Sequence, residues 1–151
     1  MCNFRNRYPS RPKAIAERRH AHVPVLAVLL FAICGSLAHA GDLYITCSAG
    51  VSLAMADVRD VFLGEKQFAG PVKLFPVDNS TAQSEFLERL LKMDSSKYMT
   101  TWTKKSFRDG ATPPSTKSGD VEVIEYLKHT PGGCGYLSSA PPAGLTLIGK
   151  I

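Results

Sequence analysis

The first forty residues have the three-part order of a secretory signal peptide, and this limits the chain that is left to fold. Arg18 and Arg19 end a basic segment, the apolar run Val25–Cys34 follows, and Ala38–Ala40 is an Ala-x-Ala cleavage signature. A spanning helix would need roughly 20 apolar residues. We therefore expect removal of residues 1–40 and a mature chain in the bacterial periplasm or outside the cell. A start further downstream, or a twin-arginine signal at Arg18 and Arg19, stays open.

The charge of the chain is concentrated in this leader. The whole sequence has 18 Lys+Arg and 13 Asp+Glu, a net charge of +5. Residues 1–40 hold six basic residues and one acidic residue, whereas residues 41–151 hold twelve of each sign. A basic domain is typical of nucleic-acid binding, but here the excess leaves with the leader. Trp102 is the only tryptophan, which offers little for base stacking. We expect no nucleic-acid partner.

Two cysteines remain after cleavage, Cys47 and Cys134. In an oxidising compartment they most simply form one disulfide, because their spacing matches neither a zinc site nor a haem attachment motif. Two separate buried thiols are the alternative. A thiol-dependent activity at either cysteine is a third hypothesis.

The mature chain alternates segments typical of strands and of helices, which predicts a small α/β domain with a mixed sheet. Pro76 predicts an edge strand or a strand end for the second strand. The composition of residues 109–119 predicts a loop. The predicted strands are 42–47, 72–77, 135–138 and 145–148; the predicted helices are 57–63, 80–91, 96–107 and a short one from Asp120.

No motif of an enzyme is found in residues 41–151: there is no HExxH, nucleophile elbow or phosphate-binding loop. His129 is the only histidine after Ala40, and its place at a helix end predicts an interaction with the helix dipole. We expect a non-enzymatic protein without cofactor or metal.

The segment Val77–Ala82 carries the one candidate binding site, because a strand there leads into a hydroxyl-rich helix start. Unpaired N–H groups and the helix dipole allow such an end to hold an oxyanion. Plain N-capping by Ser80 or Thr81 is the alternative.

Three stretches in order resemble the periplasmic phosphate-binding proteins of ABC transporters, and particularly their short single-lobe relatives. These stretches are Asp57–Gly64, Val72–Phe86 and Pro131–Leu137. The resemblance implies a fold like part of a type 2 periplasmic binding protein. It also implies a solute-binding function for phosphate or a related oxyanion, with a membrane transporter as partner.

Asp78 and Ser80 match the aspartate and serine of that family's phosphate loop, whereas Pro76 stands where the family has arginine. Thr81 would add a second hydroxyl. Ser48 should face this group, because ligands of open α/β sheets lie beyond the carboxyl ends of strands. Without the arginine we expect an affinity of around 1 mM, about 4 kcal/mol.

Asp78 could accept a proton from monohydrogen phosphate, so phosphate should be preferred to sulfate. The alternative function is a periplasmic interaction or adaptor module that has kept the fold without binding a ligand.

Overall fold

The structure is a computed structural model and describes residues 41–151, so the expected signal peptide lies outside the described residues. Seven strands and four helices follow one another along this part of the chain, and α2 continues directly into the π-helical turns Leu87–Leu91. The strands are β1 (Tyr44–Ser48), β2 (Phe68–Ala69), β3 (Val72–Lys73), β4 (Phe75–Asn79), β5 (Ser115–Lys117), β6 (Gly133–Leu137) and β7 (Leu145–Lys150). The helices are α1 (Met55–Phe62), α2 (Gln83–Phe86), α3 (Ser95–Asp109) and α4 (Asp120–His129).

Five of these strands form one mixed sheet in the order β5-β4-β6-β1-β7. The strand β4 pairs in parallel with β5 and with β6, and helices connect them, as the predicted βαβ pattern requires. The strand β1 pairs antiparallel with β6 and with β7. The prediction of a small mixed-sheet α/β domain is therefore confirmed. The strands β2 and β3 form a separate hairpin.

Helices cover both faces of the sheet, and each face has its own apolar cluster. On one face Val77 and Leu137 pack with Val123 and Leu127 of α4. On the other face a larger cluster joins the remaining helices to the sheet. At its centre the ring of Phe86 stacks on that of Tyr136 with centroids 4.0 Å apart, and this packing holds the turn after β4 against the sheet.

Two local predictions differ from the structure, and the prediction of a strand end at Pro76 agrees with it. The predicted strand 72–77 is broken at Leu74, whose N–H donates to the carbonyl of Gln67 instead of to a sheet partner. Pro76 lies in the inner strand β4, but pairing with β5 begins only at Val77, so Pro76 stands near a strand end. The predicted loop 109–119 contains the strand β5, which three polar or charged residues form.

The predicted helix 80–91 starts later than its sequence indicates. Its helical geometry begins at Gln83 and changes to π-helical at Leu87. Lys92 then ends it in the left-handed conformation, with a φ of 55°. Residues 80–82 are therefore a turn between β4 and α2, which we call the β4–α2 turn.

Candidate functional site

The β4–α2 turn is closed by hydrogen bonds within the chain. The N–H of Ser80 donates to the Lys117 carbonyl at 2.9 Å, and the N–H of Ala82 donates to the Asn79 carbonyl at 3.1 Å. The N–H and the hydroxyl of Thr81 both donate to Asn79 Oδ1, at 3.2 and 2.8 Å. An oxyanion site needs main-chain N–H groups that point at the ligand. The donors of this turn are already engaged.

Asn79 can hold the turn because two further hydrogen bonds fix its own side chain. Its amide nitrogen donates to Asp120 Oδ1 at 2.6 Å and to the Tyr136 carbonyl at 3.2 Å. Asp120 in turn accepts from the N–H groups of Ser138 and Ser139, at 3.1 and 3.0 Å, and from the Ser139 hydroxyl at 2.7 Å. Asn79, Asp120 and the Ser138–Ser139 turn thus form one network at the carboxyl ends of β4 and β6. We call it the Asn79–Asp120 network.

The sequence pattern indicates Asp120 only as the start of a short helix, and Asn79 only as a member of the segment Val77–Ala82. Asp120 does lie in the first turn of α4, but no side chain caps that helix. Its carboxylate reaches across to another loop instead. The pairing with Asn79 spans 41 residues of sequence, so no local signal could have predicted it.

Asp78 does not line an open site. It is 2% exposed and lies on the opposite face of β4 from Asn79. Its carboxylate accepts from the hydroxyl groups of Tyr136 and Tyr98, at 3.1 and 3.2 Å, and from the Gln83 amide at 3.2 Å. These three donors and the surrounding core leave the carboxylate almost no contact with solvent.

The buried surroundings of Asp78 raise its own pKa and the pKa of the two tyrosines that contact it. Burial raises the pKa of Asp78 from 3.8 to about 6, although the hydrogen bonds from Tyr136, Tyr98 and Gln83 oppose this change. Burial and the neighbouring Asp78 carboxylate raise the pKa of both tyrosines well above their usual value. Asp78 is therefore a buried carboxyl group that titrates near pH 6.

Ser48 lies far from Ser80 and Thr81, and the expectation that it faces them is wrong. It is the last residue of β1, it is buried, and its hydroxyl accepts from the Gly132 N–H at 2.8 Å. Because β1 runs antiparallel to β6 and β6 runs parallel to β4, the carboxyl ends of β1 and β4 are at opposite edges of the sheet. The structure brings together Ser80 and Thr81 in the turn, with Asp78 beneath them, but not Ser48.

The predicted disulfide between Cys47 and Cys134 is present, and both cysteines are buried. They are direct partners in the pairing of β1 with β6, with Cα atoms 4.0 Å apart. Since the two sulfurs are bonded to each other, neither offers the thiol that a thiol-dependent activity would need.

We also searched residues 41–151 for a metal site and for a membrane-spanning helix, and located His129. Within these residues no group of three or more His, Cys, Asp or Glu is placed to hold a metal ion. None of the helices between residues 41 and 151 combines the length and apolar character that a membrane span needs. His129 lies at the end of α4, and its Nδ1 is 2.8 Å from the Glu125 carbonyl oxygen, which accepts the hydrogen bond.

The structure also has a cavity that the sequence reasoning missed. It lies between α3, the β3–β4 segment and residues 110–114, and three lysines far apart in sequence line it: Lys66, Lys73 and Lys105. Their spacing matches no motif, so only the fold reveals that they converge.

Comparison with known proteins gives no family. No protein-family model matches the chain, and no curated protein is significantly similar to it. The resemblance to phosphate-binding proteins therefore stays a prediction from three short stretches of sequence.

Proposed function

We propose that the chain is an exported, non-enzymatic interaction module that binds an acidic surface of a periplasmic or membrane protein. The observation that carries the proposal is the outer face of α3. We define this face by two apolar residues, Met99 and Phe107, and three basic residues, Lys97, Lys104 and Arg108. Met99 is 68% exposed and Phe107 is 90% exposed.

Four of these residues lie together on the surface of the helix. Lys104, Phe107 and Arg108 are three and four positions apart and are therefore neighbours, and Lys97 lies seven positions before Lys104 on the same row. Met99 is exposed on the adjoining flank of α3, about 160° around the helix axis from Lys97. The buried side of α3 is formed by Tyr98 and Trp102. The outer face is therefore not part of the domain's own core.

The charges of this face favour an acidic partner. Within residues 41–151 neither Lys97 nor Lys104 has a carboxylate within 4.0 Å, whereas Arg108 pairs with Asp109. Phe, Met and Arg are enriched in protein interfaces, and complementary charge speeds and orients association. A second copy of the chain would bring like charges together, which disfavours self-association through this face.

The closed β4–α2 turn makes the other expectation, a phosphate receptor for an ABC transporter, the less supported one. Its N–H donors are engaged, Asp78 is sealed beneath it, and the arginine of the family is absent at Pro76. An oxyanion that used the N–H groups of residues 80–82 would have to displace existing hydrogen bonds before it could bind.

Photo-crosslinking in the native host tests the proposal. A benzophenone amino acid replaces Phe107, and a control replaces Val121, which is 75% exposed on α4. We expect a discrete adduct with one envelope protein from position 107 only, which disappears in the Lys97→Glu/Lys104→Glu variant. No adduct from position 107, or the same adduct from both positions, would contradict the proposal.

A further inference from the structure

The cavity beside α3 has a volume of about 540 Å³, within the range of small-molecule sites. It opens at the amino-terminal end of β4, where Phe75 and Pro76 line it. The β4–α2 turn lies at the other end of the same strand. The cavity also lies on the inner side of α3, because Trp102 and Lys105 contribute to its wall. The cavity is thus separate from the β4–α2 turn and from the outer face of α3.

The lysines of the cavity are incompletely paired. Lys66 is well paired, with its Nζ 2.7 Å from Asp57 Oδ2. Lys105 has a side chain that is only 15% exposed, yet its nearest carboxylate oxygen, on Glu65, is 3.9 Å from Nζ. Lys73 has its Nζ 5.5 Å from the centroid of the Phe75 ring and, among residues 41–151, no carboxylate within 4.0 Å.

The one carboxylate in the lining does not balance these charges. Asp109 lines the cavity, but both of its oxygens accept from the neighbouring Arg108, at 2.7 and 2.6 Å. A largely buried ammonium group with a distant partner is unfavourable unless an anion approaches it. This applies to Lys105, whereas Lys73 is an exposed residue that has no carboxylate partner among residues 41–151. The cavity therefore has positive charge available for a ligand at Lys73 and Lys105.

The remaining wall is partly apolar, and Gln67, Thr112 and Ser115 add polar groups to it. Trp102 and Leu74 are both buried, and Tyr126 adds an aromatic ring. The proline pair Pro113–Pro114 closes one side, and proline restricts the backbone there. Inorganic phosphate would use the lysines and leave this apolar surface unused.

We propose that this cavity binds a small organic anion, a flat apolar body that carries a carboxylate, sulfonate or phosphate group. The apolar body packs against Trp102 and Leu74, and the anionic group lies between the ammonium groups of Lys73 and Lys105. The inference does not depend on the partner surface of α3, because the two share no residue; they meet only where Arg108 pairs with Asp109.

The test uses 8-anilinonaphthalene-1-sulfonate, an aromatic sulfonate, with the protein purified from cells that express the full chain. Trp102 is the only tryptophan in the sequence, so energy transfer from it reports a dye bound to the domain, and the cavity variants locate the site. We expect saturable quenching of Trp102. The dissociation constant should rise at least about tenfold in Lys105→Met and in Lys73→Glu, as loss of a charge-assisted contact predicts. The neutral parent compound without the sulfonate should bind correspondingly more weakly.

Two variants of the outer face of α3 serve as controls. Lys104→Ala removes an adjacent lysine that does not line the cavity, and Phe107→Ser removes the exposed ring. Both should keep the wild-type dissociation constant within twofold, and circular dichroism should show all variants folded. Equal affinity for the neutral compound, unchanged binding in Lys105→Met and Lys73→Glu, or loss of binding in Phe107→Ser would each overturn the proposal.

Discussion

Cys47 in β1 lies directly opposite Cys134 in β6, and their sulfurs are bonded across the two strands. The bond joins residues separated by 87 positions. It therefore links the start of the described domain to its end, within the central strands of the sheet. The α-helices between β1 and β6 all lie inside the loop that this bond closes.

Removal of this bond should lower the stability of the domain substantially. The chain-entropy model gives about 4 kcal/mol for so long a loop, and native disulfides typically contribute about 2–5 kcal/mol. We expect the free energy of unfolding of Cys47→Ala/Cys134→Ala to fall by an amount in this range in urea titrations. Dithiothreitol should destabilise the wild type in the same way and leave the double variant unchanged. A wild type that is insensitive to reductant throughout the unfolding transition would argue against the bond.

The buried carboxylate of Asp78 predicts a pH dependence. Its pKa is about 6 in the folded protein and 3.8 as the ordinary value, so the folded state binds this proton more tightly than the unfolded state does. The resulting stabilisation is complete below pH 3.8 and is lost as the pH rises through about 6. The full difference corresponds to about 3 kcal/mol.

Asp78→Asn removes the charge and keeps the shape, so it isolates this contribution. Between pH 4 and pH 7 the wild type should lose about 2 kcal/mol of unfolding free energy relative to the variant, because at pH 4 the stabilisation is not yet complete. Denaturant titrations at several pH values measure this. Parallel stability curves for the two proteins would show that Asp78 does not titrate in this window.

The Asn79–Asp120 network should stabilise the carboxyl ends of β4 and β6. Burial alone would raise the pKa of Asp120, but hydrogen bonds from Ser139, Ser138 and Asn79 outweigh it and hold the pKa below 3.8. The stabilisation is thus present above pH 3.8 and is lost only as the pH falls through the lower, folded value.

At pH 7 Asp120→Ala should cost about 1–3 kcal/mol, because it leaves the Asn79 amide and two N–H groups without their acceptor. Glu125→Ala, an exposed change on the same helix, should stay within about 0.5 kcal/mol of wild type. Chemical unfolding of the three proteins gives the comparison. If both variants lost the same stability, the network would have no special role.

Gly132 is the glycine whose replacement should cost most. Its φ is 83°, its N–H donates to Ser48, and a Cβ there would collide with the Lys73 carbonyl. Gly144 is the matched control, because its φ is 92° but nothing lies within 4 Å of its Cβ position. Gly144→Ala should cost about 1–2 kcal/mol from backbone strain alone.

Gly132→Ala should cost clearly more than Gly144→Ala, since strain and steric overlap add. Thermal or chemical unfolding measures both. Equal losses in the two variants would mean that the chain around Lys73 moves away without penalty.

The sequence could predict most of the elements but not their directions across the sheet. The alternation of strands and helices and the disulfide of Cys47 and Cys134 follow from local patterns and from cysteine chemistry. The position of Ser48 does not follow from a local pattern, because the sequence of a strand such as β1 is the same whether it pairs parallel or antiparallel. The strand β5 could not be predicted from the sequence either, because its three polar or charged residues in a loop-like segment carry no strand signal.

The candidate site could be predicted even less. Asp78, between an apolar strand and a polar turn, resembles an exposed helix cap, and only the tertiary contacts with Tyr98 and Tyr136 show that it is buried. The convergence of Lys73 and Lys105 on one cavity likewise depends on how α3 packs against β3 and β4. Such contacts are non-local and leave no periodic pattern in the sequence.

The main-chain N–H groups of the β4–α2 turn are engaged within the chain, so we expect that this turn does not act as an oxyanion receptor. Calorimetric titration of phosphate and of sulfate, up to about 10 mM, into wild type and Ser80→Ala tests it most directly, because an affinity near 1 mM would be detected. We expect no saturable heat that is lost on Ser80→Ala substitution, with phosphate or with sulfate. Phosphate binding by the wild type that Ser80→Ala abolishes would contradict it and would restore the phosphate-receptor hypothesis.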